Sequence, residues 1–363
     1  KIYLRITKVC YKNLISCKRM KKKALITGIT GQDGSYLAEY LIANGYEVHG
    51  LRRKNSQENT FNVDHLINDN KIYNKIFFLS YADITDTSSL LNIIGKHKFD
   101  EIYHLSAQSH VHTSFQVPEY TTYVNVMGSI KILEAIKNFS PESKFYNAAT
   151  SELYGKILEP TQNENTKFNP QSPYAISKLY SHLATINYRE SYDLFACSGI
   201  LFNHESPRRG KTFVTRKISE TVAQIKLGLT DKLRVGNLNA KRDWGYAKEY
   251  VEAMHLMLQQ SKAEEFVIGT GKNYTVKFFI ENTFRLADIE LVWEGNGIEE
   301  KGINKLNNKV VVEIDPFYFR PSEVNELLSD PSKANKKLPW KSQTEIENLI
   351  EIMFRNDFNS TKK

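Results

Sequence analysis

"KALITGITGQDGSYLAEYLIANGYEVHGL" (residues 23–51) decides the fold. The apolar run at 23–28 reads as a buried strand, residues 35–44 as an amphipathic helix and "YEVHGL" (46–51) as a second strand. Glycines 28, 31 and 34 occupy the turn between the first strand and the helix. There they let the backbone bend sharply and approach a pyrophosphate, which the free amides of a helix N-terminus attract. Gly28, Thr30, Gly31, Gln32, Asp33 and Gly34 are therefore candidate dinucleotide contacts.

The alternation continues outward. "KIFFLSYAD" (75–83), "EIYHLSA" (101–107), "KFYNAAT" (144–150) and "LFACSGILF" (194–202) read as strands, with helices near 87–97, 120–139 and 173–191 between them. Strands alternating with helices predict an α/β protein with a Rossmann-type, doubly wound parallel sheet. After residue 203 the rhythm breaks. Helices at 213–228, 247–260, 275–287 and 343–356 mix with short strands at 233–236 and "EFVIG" (265–269), and "EGNGIEEKGINKLNNK" (294–309) reads as loop. The expected division is a leader (1–21), a cofactor domain (22–203), a smaller C-terminal α/β lobe for substrate (204–357) and a tail (358–363).

With 41% hydrophobic and 25% charged residues the composition is that of a globular protein. No apolar run approaches the roughly 18 residues a membrane span requires. The net charge of +8 suggests nucleic acid until it is located: residues 1–23 hold nine Lys or Arg and no acid, and the rest is close to neutral. A phosphate-backbone groove is not indicated. That leader reads as sequence upstream of a start at Met20, with an organelle presequence as the alternative. Cys10, Cys17 and Cys197 form neither a disulfide plan nor a metal site, consistent with a reducing cytoplasm.

The second strand ends "HGLRRKNS" (49–56), with Arg52 and Arg53 where an NAD enzyme places an acid for the ribose 2′-hydroxyl. A 2′-phosphate would be welcome there, so NADP is the expected cofactor. Asp83 and Ile84 after the third strand, and Leu105, Ala107 and Ser109 of "LSAQS" after the fourth, lie at the carboxyl ends of parallel strands, where such sheets bind ligands. "SPYAISK" (172–178) sets Tyr174 and Lys178 four residues apart on one helical face. A neighbouring ammonium together with a positive nicotinamide favours the phenolate and lowers the Tyr pKa, and a Tyr so placed can take a proton from a substrate hydroxyl as hydride leaves the same carbon. "NAATSELYG" (147–155) adds Thr150 and Glu152, the latter a candidate acid/base.

The three glycines, "NVMGSIKILEA" (125–135) and the Tyr174–Lys178 pair resemble the extended short-chain dehydrogenase/reductase superfamily. "TSELYG", "SPYAISKLY", "NHESPRRG", "RDWG" and "YFRPSEV", in that order, narrow the resemblance to the GDP-mannose 4,6-dehydratase family over essentially residues 22–357. That resemblance implies GDP-mannose as substrate and tightly held, recycled NADP. Thr150, Glu152, Tyr174 and Lys178 would then be catalytic. Tyr120, His204 and Arg209 would join the cofactor residues, with Lys178 on the nicotinamide ribose. Asn203, Arg242, Arg320 and Glu323 would hold the substrate. It also implies a homodimer or homotetramer, through a loop spanning 52–66. Ser106 stands where the family usually has Gly, and Asn125 where it often has Asp. The rival readings are an epimerase or reductase on the same frame and a catalytically silent NADP-binding protein.

Overall fold

The computed structural model describes residues 21–56, 59–319 and 322–362. The leader with Cys10 and Cys17, and the candidate Arg320, lie outside the described residues. The central element is a seven-stranded parallel sheet built from β1 (Lys23–Thr27), β2 (Glu47–Arg52), β3 (Phe77–Tyr81), β4 (Glu101–His104), β5 (Lys144–Thr150), β6 (Ala196–Leu201) and β7 (Phe266–Ile268). Its order is β3-β2-β1-β4-β5-β6-β7, so the strand order reverses between β1 and β4. The crevice at that reversal is where a doubly wound sheet takes its ligand.

Both faces of the sheet are covered, so successive apolar side chains of its strands enter different cores. Ala24, Ile26, Tyr103, Tyr146 and Cys197 pack with α1 (Gln32–Ala43) and with the helix Ala247–Leu258. Leu25, Ile102, Phe145 and Ala196 pack on the other side with α2 (Thr87–His97) and α3 (Gly128–Phe139). The long α4 (Pro173–Tyr192) opens with Ser172, whose hydroxyl accepts from the Ala175 amide at 3.1 Å, and with Pro173 in its first turn. Asp193, at φ 54°, ends it.

A separate core joins the helices Val214–Lys226, Val276–Leu286 and Ile346–Thr361 to a four-stranded sheet of Leu291–Glu294, Lys301–Asn304, Lys309–Ile314 and Leu233–Val235. Three sequence expectations change here. Residues 294–309 are not all loop: Lys301–Asn304 pairs antiparallel with both neighbours, Gly302 sitting opposite Trp293 and Val312. The division at residue 203 is crossed, because the helix Ala247–Leu258 and β7 return to the central sheet. The last helix also runs to Thr361, through residues expected as tail.

Candidate active site

The dinucleotide turn follows β1. Gly28 has φ 71°, and a Cβ there would lie 3.1 Å from the Ser106 amide nitrogen. Gly34 sits in the first turn of α1 against Gly28, where a Cβ would come within 2.3 Å of the Gly28 carbonyl oxygen. The chain thus leaves a cradle at the helix N-terminus that a larger residue would fill, which fits a dinucleotide pyrophosphate. Thr27 pins the facing loop: its hydroxyl oxygen accepts from the Leu105 and Ser106 amides, each at 3.0 Å. Its proton goes to His104 Nδ1, also at 3.0 Å. His104 is buried, and that burial, reinforced by Lys178, pushes its pKa down to about 3, so it is neutral.

Asp33 and His204 meet across this turn. His204 Nε2 lies 2.8 Å from Asp33 Oδ2, and its Nδ1 lies 2.8 Å from the Phe202 carbonyl oxygen. Both partners only accept, so both ring nitrogens carry protons and the ring is an imidazolium. Burial works against either charge, yet the facing opposite charge overrides it: Asp33 is lowered and His204 raised from their ordinary values. Gln32 completes the junction, donating to the His204 carbonyl at 3.1 Å and accepting from the Ser206 hydroxyl at 2.7 Å. Arg209 is held by Glu205 at 3.1 Å and lies over the Phe213 ring.

At the end of β2, Arg52, Arg53 and Lys54 line one pocket with Thr30, Thr60 and Tyr81. Arg53 donates to the Tyr120 hydroxyl at 3.3 Å, which joins two of the cofactor candidates. Asp83 uses one carboxylate oxygen on the Thr85 amide and hydroxyl, at 2.8 and 2.7 Å. Ile84 packs into the space left by Gly128.

Thr150 ends β5, and a single 3-10 turn, Ser151–Leu153, carries Glu152. The Thr150 hydroxyl caps that turn by accepting from the Glu152 amide at 3.3 Å. The same hydroxyl acts on the Tyr174 phenol, favouring its ionised form. Thr150, Glu152 and Tyr174 are thereby brought together, with Lys178 one turn further along α4 and buried. Burial pushes the Tyr174 phenol up to about 12, the Thr150 hydroxyl opposing and the Glu152 charge assisting. Burial also pushes the Lys178 ammonium down to about 8.

Asn125 is a residue that the sequence reading noted only as a departure from the family. It lies in a π-turn, Tyr123–Met127, ahead of α3. Its side chain exchanges bonds with the Gln108 amide and carbonyl at 2.9 and 3.1 Å and donates to Ser177 at 2.9 Å. The loop after β4 is thereby tied to the helix of Tyr174 and Lys178. No spacing rule signals such a knot, since its three segments are remote in sequence.

On the substrate side, Asn203 starts a short strand, Asn203–Glu205, that pairs with Trp244–Tyr246. Arg242, one strand away, is buried and lies 3.8 Å from Glu323. Asp243 beside it is also buried and accepts from Thr270, Gly271 and Ser329, fixing the floor under Arg242. Cys197 is buried in the core, and among the described residues no cluster of metal-ligating side chains occurs.

A parallel sheet with a glycine turn at its reversal point, and a Tyr–Lys helix beside a Thr–Glu turn, define an extended short-chain dehydrogenase/reductase. A family model described as GDP-mannose 4,6 dehydratase matches residues 25–353. The chain belongs to the GDP-mannose 4,6-dehydratase family. It is 51% identical to the GDP-mannose 4,6-dehydratase of Vibrio cholerae, over 95% of this chain and 96% of that protein. It is 50% identical to GDP-mannose 4,6 dehydratase 2 of Caenorhabditis elegans, over 93% and 90%. The fold is similar to that of UDP-glucose 4-epimerase from Thermotoga maritima (TM-score 0.76, 22% identity, 94% of this chain and 100% of that one). It is also similar to dTDP-glucose 4,6-dehydratase from Bacillus anthracis in complex with NAD (TM-score 0.76, 18% identity, 94% and 98%).

Proposed function

We propose that the protein converts GDP-mannose to GDP-4-dehydro-6-deoxy-mannose and water, using a retained NADP. The observation that carries this reading is Glu152 in a turn capped by Thr150, with both side chains acting on the Tyr174 phenol. When bound, a nicotinamide would supply the redox chemistry, a hydride acceptor for C4 of the mannosyl ring and a hydride donor for C6. Tyr174, brought to the phenolate by the Lys178 ammonium and the nicotinamide charge, would accept the proton of the C4 hydroxyl, and Thr150 would hold that oxygen. Once C4 is a ketone the C5 proton is acidic. Glu152 removes that proton and delivers one to the C6 hydroxyl as it leaves as water, so one carboxyl acts as base and then as acid, and C5 takes up the proton held by Tyr174 once C6 is reduced, which returns both groups to their starting states. Lys178 orients the nicotinamide ribose. Asn203, Arg242 and Glu323 hold the nucleotide sugar, Arg242 being suited to a diphosphate by its planar fork of donors.

For the cofactor, the Gly28–Gly34 cradle would take the pyrophosphate, with His204 and Arg209 on the cofactor side. The Arg52–Lys54 pocket, with no acid among its described lining residues, favours a 2′-phosphate. For assembly, Ile176, Tyr180 and Leu183 form one largely exposed face of α4, beside exposed Tyr123 and Met127. That face suits a second copy of the chain, so we assign a homodimer or a homotetramer built on it. Among the described residues no helix is long and apolar enough to cross a membrane. A cytoplasmic enzyme opening a route to GDP-6-deoxyhexoses such as GDP-fucose is consistent with this.

The test uses GDP-mannose with no external NADPH. Glu152→Gln should retain cofactor yet lose turnover by about a thousandfold, the scale of a lost general acid/base. Undiminished water loss in that variant would remove Glu152 from the mechanism. A product of unchanged mass from the unaltered enzyme would favour epimerisation instead.

A further inference from the structure

The pocket at the end of β2 is organised by a residue outside the cofactor set above. Tyr81, the last residue of β3, sits in register beside Arg52. Its hydroxyl oxygen accepts from Arg52 Nη2 at 2.6 Å and from Lys54 Nζ at 3.4 Å. The same two cations lie against its ring, the Arg52 guanidinium carbon 4.5 Å and the Lys54 nitrogen 4.8 Å from the centroid. Tyr81 thus gathers two positive groups that would otherwise separate by mutual repulsion, using the ring face and the phenol oxygen together.

With its oxygen accepting from two cations, the hydroxyl has its single proton left to donate. Arg53, anchored separately through Tyr120, lines the same pocket. Three cations and an O–H donor around one pocket match a phosphate dianion, whose several oxygens accept charge-assisted bonds. An unphosphorylated ribose would gain little from them.

We propose that Tyr81 is a specificity-determining residue, which selects the 2′-phosphorylated cofactor by holding Arg52 and Lys54 in place and by donating to the phosphate. This rests on the reading of the cofactor as NADP. Arginines after β2 supply the charge, and Tyr81 supplies its arrangement.

The experiment measures dissociation constants for NADP+ and NAD+ by titration calorimetry on the full chain, for the unaltered protein, Tyr81→Ala and Tyr81→Phe. Tyr81→Ala should weaken NADP+ by about tenfold or more while NAD+ stays within about twofold, the scale of losing charge-assisted bonds to one group. Tyr81→Phe keeps the ring and loses the hydroxyl, so its NADP+ affinity should fall between the two. Tyr81 is about half exposed, so neither change opens a core cavity. If both variants keep the unaltered NADP+ to NAD+ ratio, or weaken both cofactors equally, the role of Tyr81 is overturned while the NADP reading stands. If the unaltered protein binds NAD+ more tightly than NADP+, the NADP reading falls, and this inference with it.

Discussion

Lys178 is held where its charge is unwelcome: it is buried, and that burial alone lowers its pKa to about 8 from the ordinary 10.5. The unfolded chain therefore binds more protons than the folded one between those values, so this residue's contribution to stability improves as pH rises from about 8 towards 10.5. Below that window its cost is fully present. Lys178→Met should accordingly be inactive but more stable at neutral pH, by on the order of 2 kcal/mol, with the advantage fading in alkali. Denaturant melts across pH check this. The Asp33–His204 pair has a different window. Asp33 is lowered, so its contribution is lost as pH falls through that lowered value; His204 is raised, so its contribution is lost as pH rises through its raised value. The charges facing His204 are Asp33 and Arg209, with the Tyr250 ring stacked on it. His204→Asn should remove the alkaline limb of the stability profile and leave the Lys178 dependence. Thr150, Glu152, Tyr174 and Lys178 were legible because each lies in a short local pattern. Asn125 and Tyr81 acquire their roles only from strands and loops that the fold brings beside them.

The element that sets the cofactor geometry is the β1–α1 turn, whose fit depends on having no side chain at Gly34. Gly34→Ala would drive a methyl into the Gly28 carbonyl and the Ile29 Cα, at 2.3 and 2.7 Å from an ideal Cβ. Because the obstruction is backbone, α1 must shift outward. A loss of about 1–3 kcal/mol, the usual scale of overpacking, should accompany a large fall in cofactor retention. Thermal melts and the absorbance of the purified protein read the two effects. This turn could be read ahead of the structure because glycine spacing, strand and helix all lie within one short run. The antiparallel pairing of Lys301–Asn304 could not. Its Gly, Asn and Lys content is that of a loop, and it becomes a strand by packing Gly302 under Trp293 and Val312.

At the scale of the molecule, the apolar face of α4 is the feature that calls for a partner. Ile176→Glu combined with Leu183→Glu should shift the assembly to monomers, measured by light scattering, with little change in the fold because both side chains are more than half exposed. The sequence shows a change of rhythm near residue 203, but not the return of later elements to the central sheet. A strand of three residues carries too little pattern to reveal that it pairs with β6. That return has a consequence for anyone who cuts the chain. β6 is buried along its whole length, and β7 supplies one of its two neighbours. A fragment ending near residue 203 would leave the amides and carbonyls of β6 as an open, apolar sheet edge, a template for aggregation. The cofactor half is thus a region of the molecule without being a separable one, and its solubility is completed by residues more than sixty positions further along.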